Sequence, residues 1–156
     1  MLACAALSSC SSSSNGATDK FIGNWTFDSG ALNAMCNGLP PFSNSLAGET
    51  LTLMKGTSSD LVSTLTSSLG TCTLKLSVNG TVASADAGQS CMFTVTVSGL
   101  AVPVTVNINS WTVTTTDGVT MTTAAMATGS GGLADGCPVT LNGSATKHAG
   151  DASAGG

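Results

Sequence analysis

Along the middle of the chain, apolar residues alternate with hydroxyl-bearing ones at a period of two, the spacing that puts successive side chains on opposite faces of a β-strand. Cys72, Leu74, Leu76 and Val78 alternate with Thr73, Lys75 and Ser77. Asn79 and Gly80 then offer the positive φ angles of a two-residue hairpin turn, and residues 81 to 85 return. Cys91, Phe93, Val95 and Val97 form a second inward set against Thr94, Thr96 and Ser98. Val102, Val104, Val106 and Ile108 repeat the pattern, whereas Trp111 and Val113 fall on the opposite parity. One extra residue in a β-bulge near Asn109 and Ser110 restores both sets to a common interior.

Upstream, Phe21, Gly23, Trp25 and Phe27 share one face of a first core strand. Ser29 and Gly30 predict a turn into a second strand with Leu32, Ala34 and Cys36, which Asn37, Gly38, Leu39, Pro40 and Pro41 terminate. Leu51 and Leu53 mark a strand within 46–54, closed by Lys55 and Gly56. In 60–69, Leu61, Leu65 and Leu69 fit a helix while Leu61, Ser63 and Leu65 fit a strand. The β-branched and hydroxyl residues there favour the strand. Asp117 and Gly118 predict a tight turn into Val119 and Met121, and Val139 with Leu141 a last strand.

Eight to ten short antiparallel strands joined by tight turns predict an all-β, up-and-down barrel, with a β-sandwich as the alternative. Antiparallel sheets can wet one face, so the threonine and serine stripes are assigned to solvent. The domain is expected over 20–148, followed by a flexible tail over 149–156 rich in Gly and Ala.

Composition narrows the class. Charged residues make up 8% of the chain, arginine is absent, and the net charge is only -4, a profile of a secreted β protein. Disordered chains combine low hydrophobicity with high net charge, which is not the case here. No run approaches the roughly 18 apolar residues of a membrane-spanning helix, so the domain itself is expected to be soluble.

The segment Leu7, Ser8, Ser9, Cys10 resembles the lipobox of bacterial lipoproteins, in which a leucine three residues before a cysteine and small residues between them direct cleavage ahead of the thiol, which is then lipidated. The resemblance implies a signal-peptide remnant over 1–9 and a lipidated Cys10 opening a Ser-rich tether over 10–19. It also implies attachment of the domain to the bacterial envelope, at the outer membrane, through an acyl (palmitate-type) anchor. The upstream stretch departs from that pattern. It lacks Lys and Arg and is shorter than the roughly 7 to 15 apolar residues of a signal peptide. The alternative is an apolar N-terminal scrap with a serine linker and Cys10 as an ordinary thiol. Cys4 is the weaker lipidation candidate, since Leu2 stands at the wrong offset.

Setting Cys4 and Cys10 aside leaves Cys36, Cys72, Cys91 and Cys137, enough for two disulfides with three possible pairings. Cys72 with Cys91 and Cys36 with Cys137 is favoured, because the first pair lies in consecutive strands at matching phase. A four-thiolate zinc site would need a short-spaced pair, which none of these forms.

Gly23 and Trp25 resemble the Gly-x-Trp opening strand of lipocalins and avidins, where the tryptophan plugs one end of the barrel. That resemblance implies a lipocalin-like cavity, for which Trp25, Phe27, Phe93 and Trp111 are the candidate lining residues. The bland alternative makes Trp25 a large core residue of an unrelated β fold.

Candidate chemistry is thin. His148, the only histidine, stands near the tail as a surface residue, and Asp28, Glu49, Asp60, Asp86, Asp117 and Asp135 are spread as turn and rim residues. No Gly-x-Ser-x-Gly elbow occurs. Four lysines without arginine do not make a phosphate-binding patch, so no nucleic-acid partner is expected. Met35, Met54, Met92, Met121 and Met126 are assigned to core filling. No metal, cofactor or catalytic activity is expected. The sequence points to an envelope lipoprotein with a structural or protein-interaction domain, or alternatively to a lipocalin-like carrier of a small apolar ligand.

Overall fold

The computed structural model describes residues 15–150. Cys10, residues 1–14 of the expected signal and tether, and 151–156 of the expected tail lie outside them. The last five residues of the expected tether form a one-turn helix, α1 (Asn15–Asp19). Ten strands follow: β1 (Gly23–Ala34), β2 (Phe42–Ser45), β3 (Thr50–Lys55), β4 (Leu61–Ser67), β5 (Gly70–Asn79), β6 (Val82–Ala85), β7 (Ser90–Val97), β8 (Leu100–Thr114), β9 (Thr120–Ser130) and β10 (Pro138–Lys147). Eight of them close an antiparallel barrel in the order β1, β3, β4, β5, β6, β8, β9, β10, with β10 pairing back onto β1. β2 pairs with the end of β1, and β7 with the start of β8.

Two departures from the sequence pattern come from the first strand. Ser29 and Gly30 do not turn the chain. β1 runs through them beside β10, and the expected second strand at Leu32 is its continuation, with Cys36 just beyond its end. The ladder instead shifts register between Phe27 and Ser29, which puts Trp25 and Phe27 before the shift, and Leu32 after it, on the same interior side. Gly30 is required there: its φ is +138°, and a Cβ would lie 2.4 Å from the Asn142 carbonyl oxygen. The bulge expected near Asn109 and Ser110 is present, as a register shift between Ile108 and Ser110 that turns both Val106 and Trp111 inward.

Alternation builds the core. Leu51, Leu53, Leu61, Leu65, Leu74, Leu76 and Val113 are buried to within 1% around Phe21, Trp25 and Phe27. Trp111 lies opposite Ala125 on β9, whose inward Ala125 and Ala127 leave room for large neighbours. The methionine assignment is overturned for four of five. Met35, Met54, Met92 and Met126 are more than half exposed, and only Met121 is buried, at 3%. Met92 falls between the inward Cys91 and Phe93, and Met126 between Ala125 and Ala127, so strand parity turns both outward.

Outward hydroxyls pair across strands, as between Ser29 and Ser144 at 2.9 Å. Of the few inward hydroxyls, Thr123 donates to the Thr112 carbonyl at 3.0 Å.

Candidate functional site

The barrel has two unlike ends. One is closed by Trp25, whose indole N–H donates to the Phe21 carbonyl at 2.8 Å while Lys147 Nζ stands 4.9 Å above its ring. This cation over an aromatic face, with α1 leading into Phe21, seals that end.

At the other end the sheet is interrupted twice. β2 and β3 lie along the same side of β1, and the turn between them stays attached: Leu46 donates its N–H to Gly30 at 3.0 Å and Gly48 to Phe27 at 2.8 Å. β6 and β7 likewise lie along the same side of β8. The tip of the β4–β5 hairpin sits between these breaks. Glu49 Oε1 accepts the Ser68 N–H at 3.0 Å, and Thr94 donates its N–H to the Leu69 carbonyl at 2.9 Å.

A recess of about 20 Å³ opens at this end, lined by apolar side chains that include Leu32, Phe93, Val106, Ile108, Trp111 and Leu141. That is room for about one water, against the roughly 300 to 1,000 Å³ of small-molecule sites. Of the four aromatics named from the sequence, Phe93 and Trp111 line the recess. Trp25 and Phe27 do not; they are buried to within 1% in the filled part of the barrel. The Trp111 indole N–H is buried without an acceptor among the described residues.

Cys36 bonds to Cys137 and Cys72 to Cys91, with Cα–Cα separations of 4.6 and 5.2 Å. The Cys72 and Cys91 strands are not consecutive, since the four-residue β6 intervenes; the bond fastens β5 to β7 beyond the end of β6. Cys36–Cys137 ties the exit of β1 to the entrance of β10 at the recess end.

Among the described residues the carboxylates do not converge. Asp28 accepts from Thr146 Oγ1 at 2.7 Å, Asp60 from the Val78 N–H at 2.7 Å, and Asp86 from Ser77 Oγ at 2.7 Å. Asp117 accepts the Val119 and Thr120 N–H groups, both at 2.8 Å, and the Thr120 hydroxyl at 2.8 Å. The Thr120 N–H, then the Val119 N–H and the Thr120 hydroxyl, hold its carboxyl well below the usual carboxylate range. Asp117 is a turn residue as expected, but the loop is longer than a two-residue hairpin, since β8 ends at Thr114 and β9 starts at Thr120. His148 is exposed; its backbone N–H donates to Asn24 at 3.0 Å and its Nε2 hydrogen-bonds Thr26 Oγ1. Among the described residues, no three His, Cys, Asp or Glu side chains group in a way that could hold a metal ion.

No family model and no curated protein matches this chain. It is similar to the crystal structure of a DUF3598-family protein of unknown function from Nostoc punctiforme, at 12% identity and a TM-score of 0.42. The likeness covers 83% of this chain and 48% of that one, so the chain spans about half the length of that neighbour.

Proposed function

We propose that this chain is a lipid-anchored envelope protein of a bacterium, tethered through Cys10, whose β-barrel acts through its surface in a structural or protein-interaction role. The observation that carries the surface role is the filled interior. Trp25, Phe21 and Phe27, together with leucines such as Leu46, Leu51, Leu53 and Leu61, are each no more than 1% exposed, and the recess beside Trp111 has only about 20 Å³. The anchor is supported by Leu7, Ser8, Ser9 and Cys10 in lipobox order. Intact mass of the protein isolated from a bacterial envelope tests it. The expected species begins at Cys10 and is heavier by a diacylglycerol and an acyl chain; a species retaining residues 1–9 without added mass contradicts it.

A second reading, a carrier of a small apolar ligand, is favoured by one feature. The walls of the recess are apolar, and Phe93 and Val106 in them belong to the β7–β8 hairpin, which has few sheet contacts beyond Thr105. Outward movement of that hairpin would enlarge the space.

A further inference from the structure

The plugged end is where the chain enters the barrel and where its lysines gather. α1 and Lys20 lead into Phe21 there, and Lys20 Nζ donates to the Thr116 carbonyl, in the β8–β9 loop, at 3.3 Å. Lys147, the last residue of β10, donates from Nζ to the Lys20 carbonyl at 3.0 Å. Lys55 ends β3, two residues past Leu53, the partner of Gly23. Of the four lysines only Lys75 lies elsewhere, partway along β5. Lys20 and Lys55 are exposed. Asp19, Asp60 and Asp117 stand at the same end and offset these three lysines in formal charge. Two of them face backbone: Asp60 accepts the Val78 N–H, and Asp117 accepts the Val119 and Thr120 N–H groups. The recess end is different, with Glu49 beside Ser68, Asp135 in the β9–β10 connection, and no lysine.

Chain length decides which end can reach a bilayer that holds Cys10. Five residue steps separate Cys10 from Asn15, the start of α1, and at no more than about 3.6 Å each they span at most about 18 Å. β9 crosses the barrel in 11 residues, and at about 3.3 Å each and a tilt of about 40° the two ends stand about 25 Å apart. With the recess end on the bilayer, α1 would be lifted beyond the reach of its own tether. With the plugged end on the bilayer, α1 lies within it.

We propose that the plugged end is a docking surface for anionic phospholipid headgroups, with Lys20, Lys55 and Lys147 over the lipid phosphates and the recess end directed away from the bilayer. An ammonium group has three N–H donors, so the carbonyl bond that Lys20 makes leaves it able to meet a phosphate oxygen, and exposed Lys55 does the same. A lysine near an anionic bilayer strengthens binding by about fivefold. The recess end, with two carboxylates and no cation, is repelled by the same surface. Tether length and charge therefore select the same face. This assigns the membrane side of the anchored protein and rests on the Cys10 anchor proposed above.

The test couples Cys10 of the full chain carrying Cys4→Ser to vesicles that contain a maleimide phospholipid, so that the anchor is supplied chemically. Leu133→Lys places a reporter amine at the recess end, where Leu133 is 61% exposed. Acetylation of Lys20, Lys55 and the reporter is followed by peptide mass, against the same protein capped with N-ethylmaleimide and free of vesicles. On phosphatidylcholine vesicles containing phosphatidylglycerol, Lys20 and Lys55 are expected to react about threefold or more slowly. The reporter stands farther from the surface than the Debye length of about 8 to 10 Å, so its rate is expected to stay unchanged. Equal slowing at all three positions, or slowing at none, overturns the proposal. Equal slowing of Lys20 and Lys55 on phosphatidylcholine alone also overturns it, since the lysines would then not select the face. Because coupling replaces natural lipidation, a failed docking result leaves the mass measurement on Cys10 untouched. An unlipidated Cys10 in the envelope would remove the anchor without altering the acetylation pattern.

Discussion

The Gln89 carboxamide takes the place of a missing strand rung beside Lys75. Its Oε1 accepts the Lys75 N–H at 2.7 Å and its Nε2 donates to the Lys75 carbonyl at 2.8 Å, where the peptide group of an uninterrupted strand would otherwise stand. Nε2 also donates to the Asp86 carbonyl at 2.9 Å, and the Asp86 N–H reaches Lys75 at 3.0 Å. A side-chain amide carries the same donor and acceptor pair as the backbone, so β5 keeps its ladder while the chain passes from β6 to β7.

Replacing Gln89 therefore tests the break directly. Gln89→Ala is expected to cost about 1 kcal/mol, the usual net worth of such hydrogen bonds. Gln89→Glu keeps the acceptor for Lys75 N–H but aims a carboxylate at two carbonyl oxygens. Its pKa is then raised on folding, so its deficit grows as pH rises through the carboxylate range. Urea midpoints at acid and neutral pH check both; a Glu variant as stable as the native protein at neutral pH contradicts the account.

Asp117 gives the opposite pH dependence. Its carboxyl is held below the usual range, so the stabilisation is complete above the unfolded carboxyl's value of about 3.9 and is lost as pH falls toward the folded one. Melting temperatures of the native protein and Asp117→Asn should converge as pH is lowered into that window. Parallel curves contradict the assignment.

Ser63 is 1% exposed on the inward face of β4, opposite Leu53 and Leu74, and its hydroxyl has no partner among the described residues. Ser63→Ala removes an unmet polar group without adding volume and is expected to stabilise the protein by about 1 kcal/mol. Chemical denaturation measures it, and a loss of stability would mean that the hydroxyl is satisfied.

The two disulfides differ in the loop they close, 19 residues for Cys72–Cys91 and 101 for Cys36–Cys137. In the chain-entropy model, removing them by paired Cys→Ala changes costs about 3 and 4.7 kcal/mol respectively. The expected order of denaturation midpoints is native, then the variant lacking Cys72–Cys91, then the variant lacking Cys36–Cys137; the reverse order contradicts the model.

Much of this was legible in the sequence wherever one face is buried. The run from Cys72 to Val78 and the parity slip between Ile108 and Trp111 each define an inside, and the barrel follows. The same parity marks Met92 and Met126 as outward, against the core preference of methionine as a residue type. Ser29 and Gly30 misled for another reason. A Gly that bends a strand against a close neighbour has the same local signature as one that turns it, and only the Asn142 carbonyl distinguishes them. β2 has no alternation to reveal it, and the alanines of β9 show their role only opposite Trp111. The recess was half-legible. Phe93 and Trp111 reach it because β7 and the middle of β8 both border the recess, while Trp25 and Phe27 belong to the plugged part, a division that depends on place along the strands and not on residue type.

The central claim, that the barrel is filled and works from its surface, is tested most directly by titrating the protein with dodecanoate while following tryptophan emission and binding heat. The account predicts no saturable heat and no change in emission, because a twelve-carbon chain does not fit beside Trp111. One-to-one binding with quenching that is lost in Trp111→Phe would contradict it and establish the carrier.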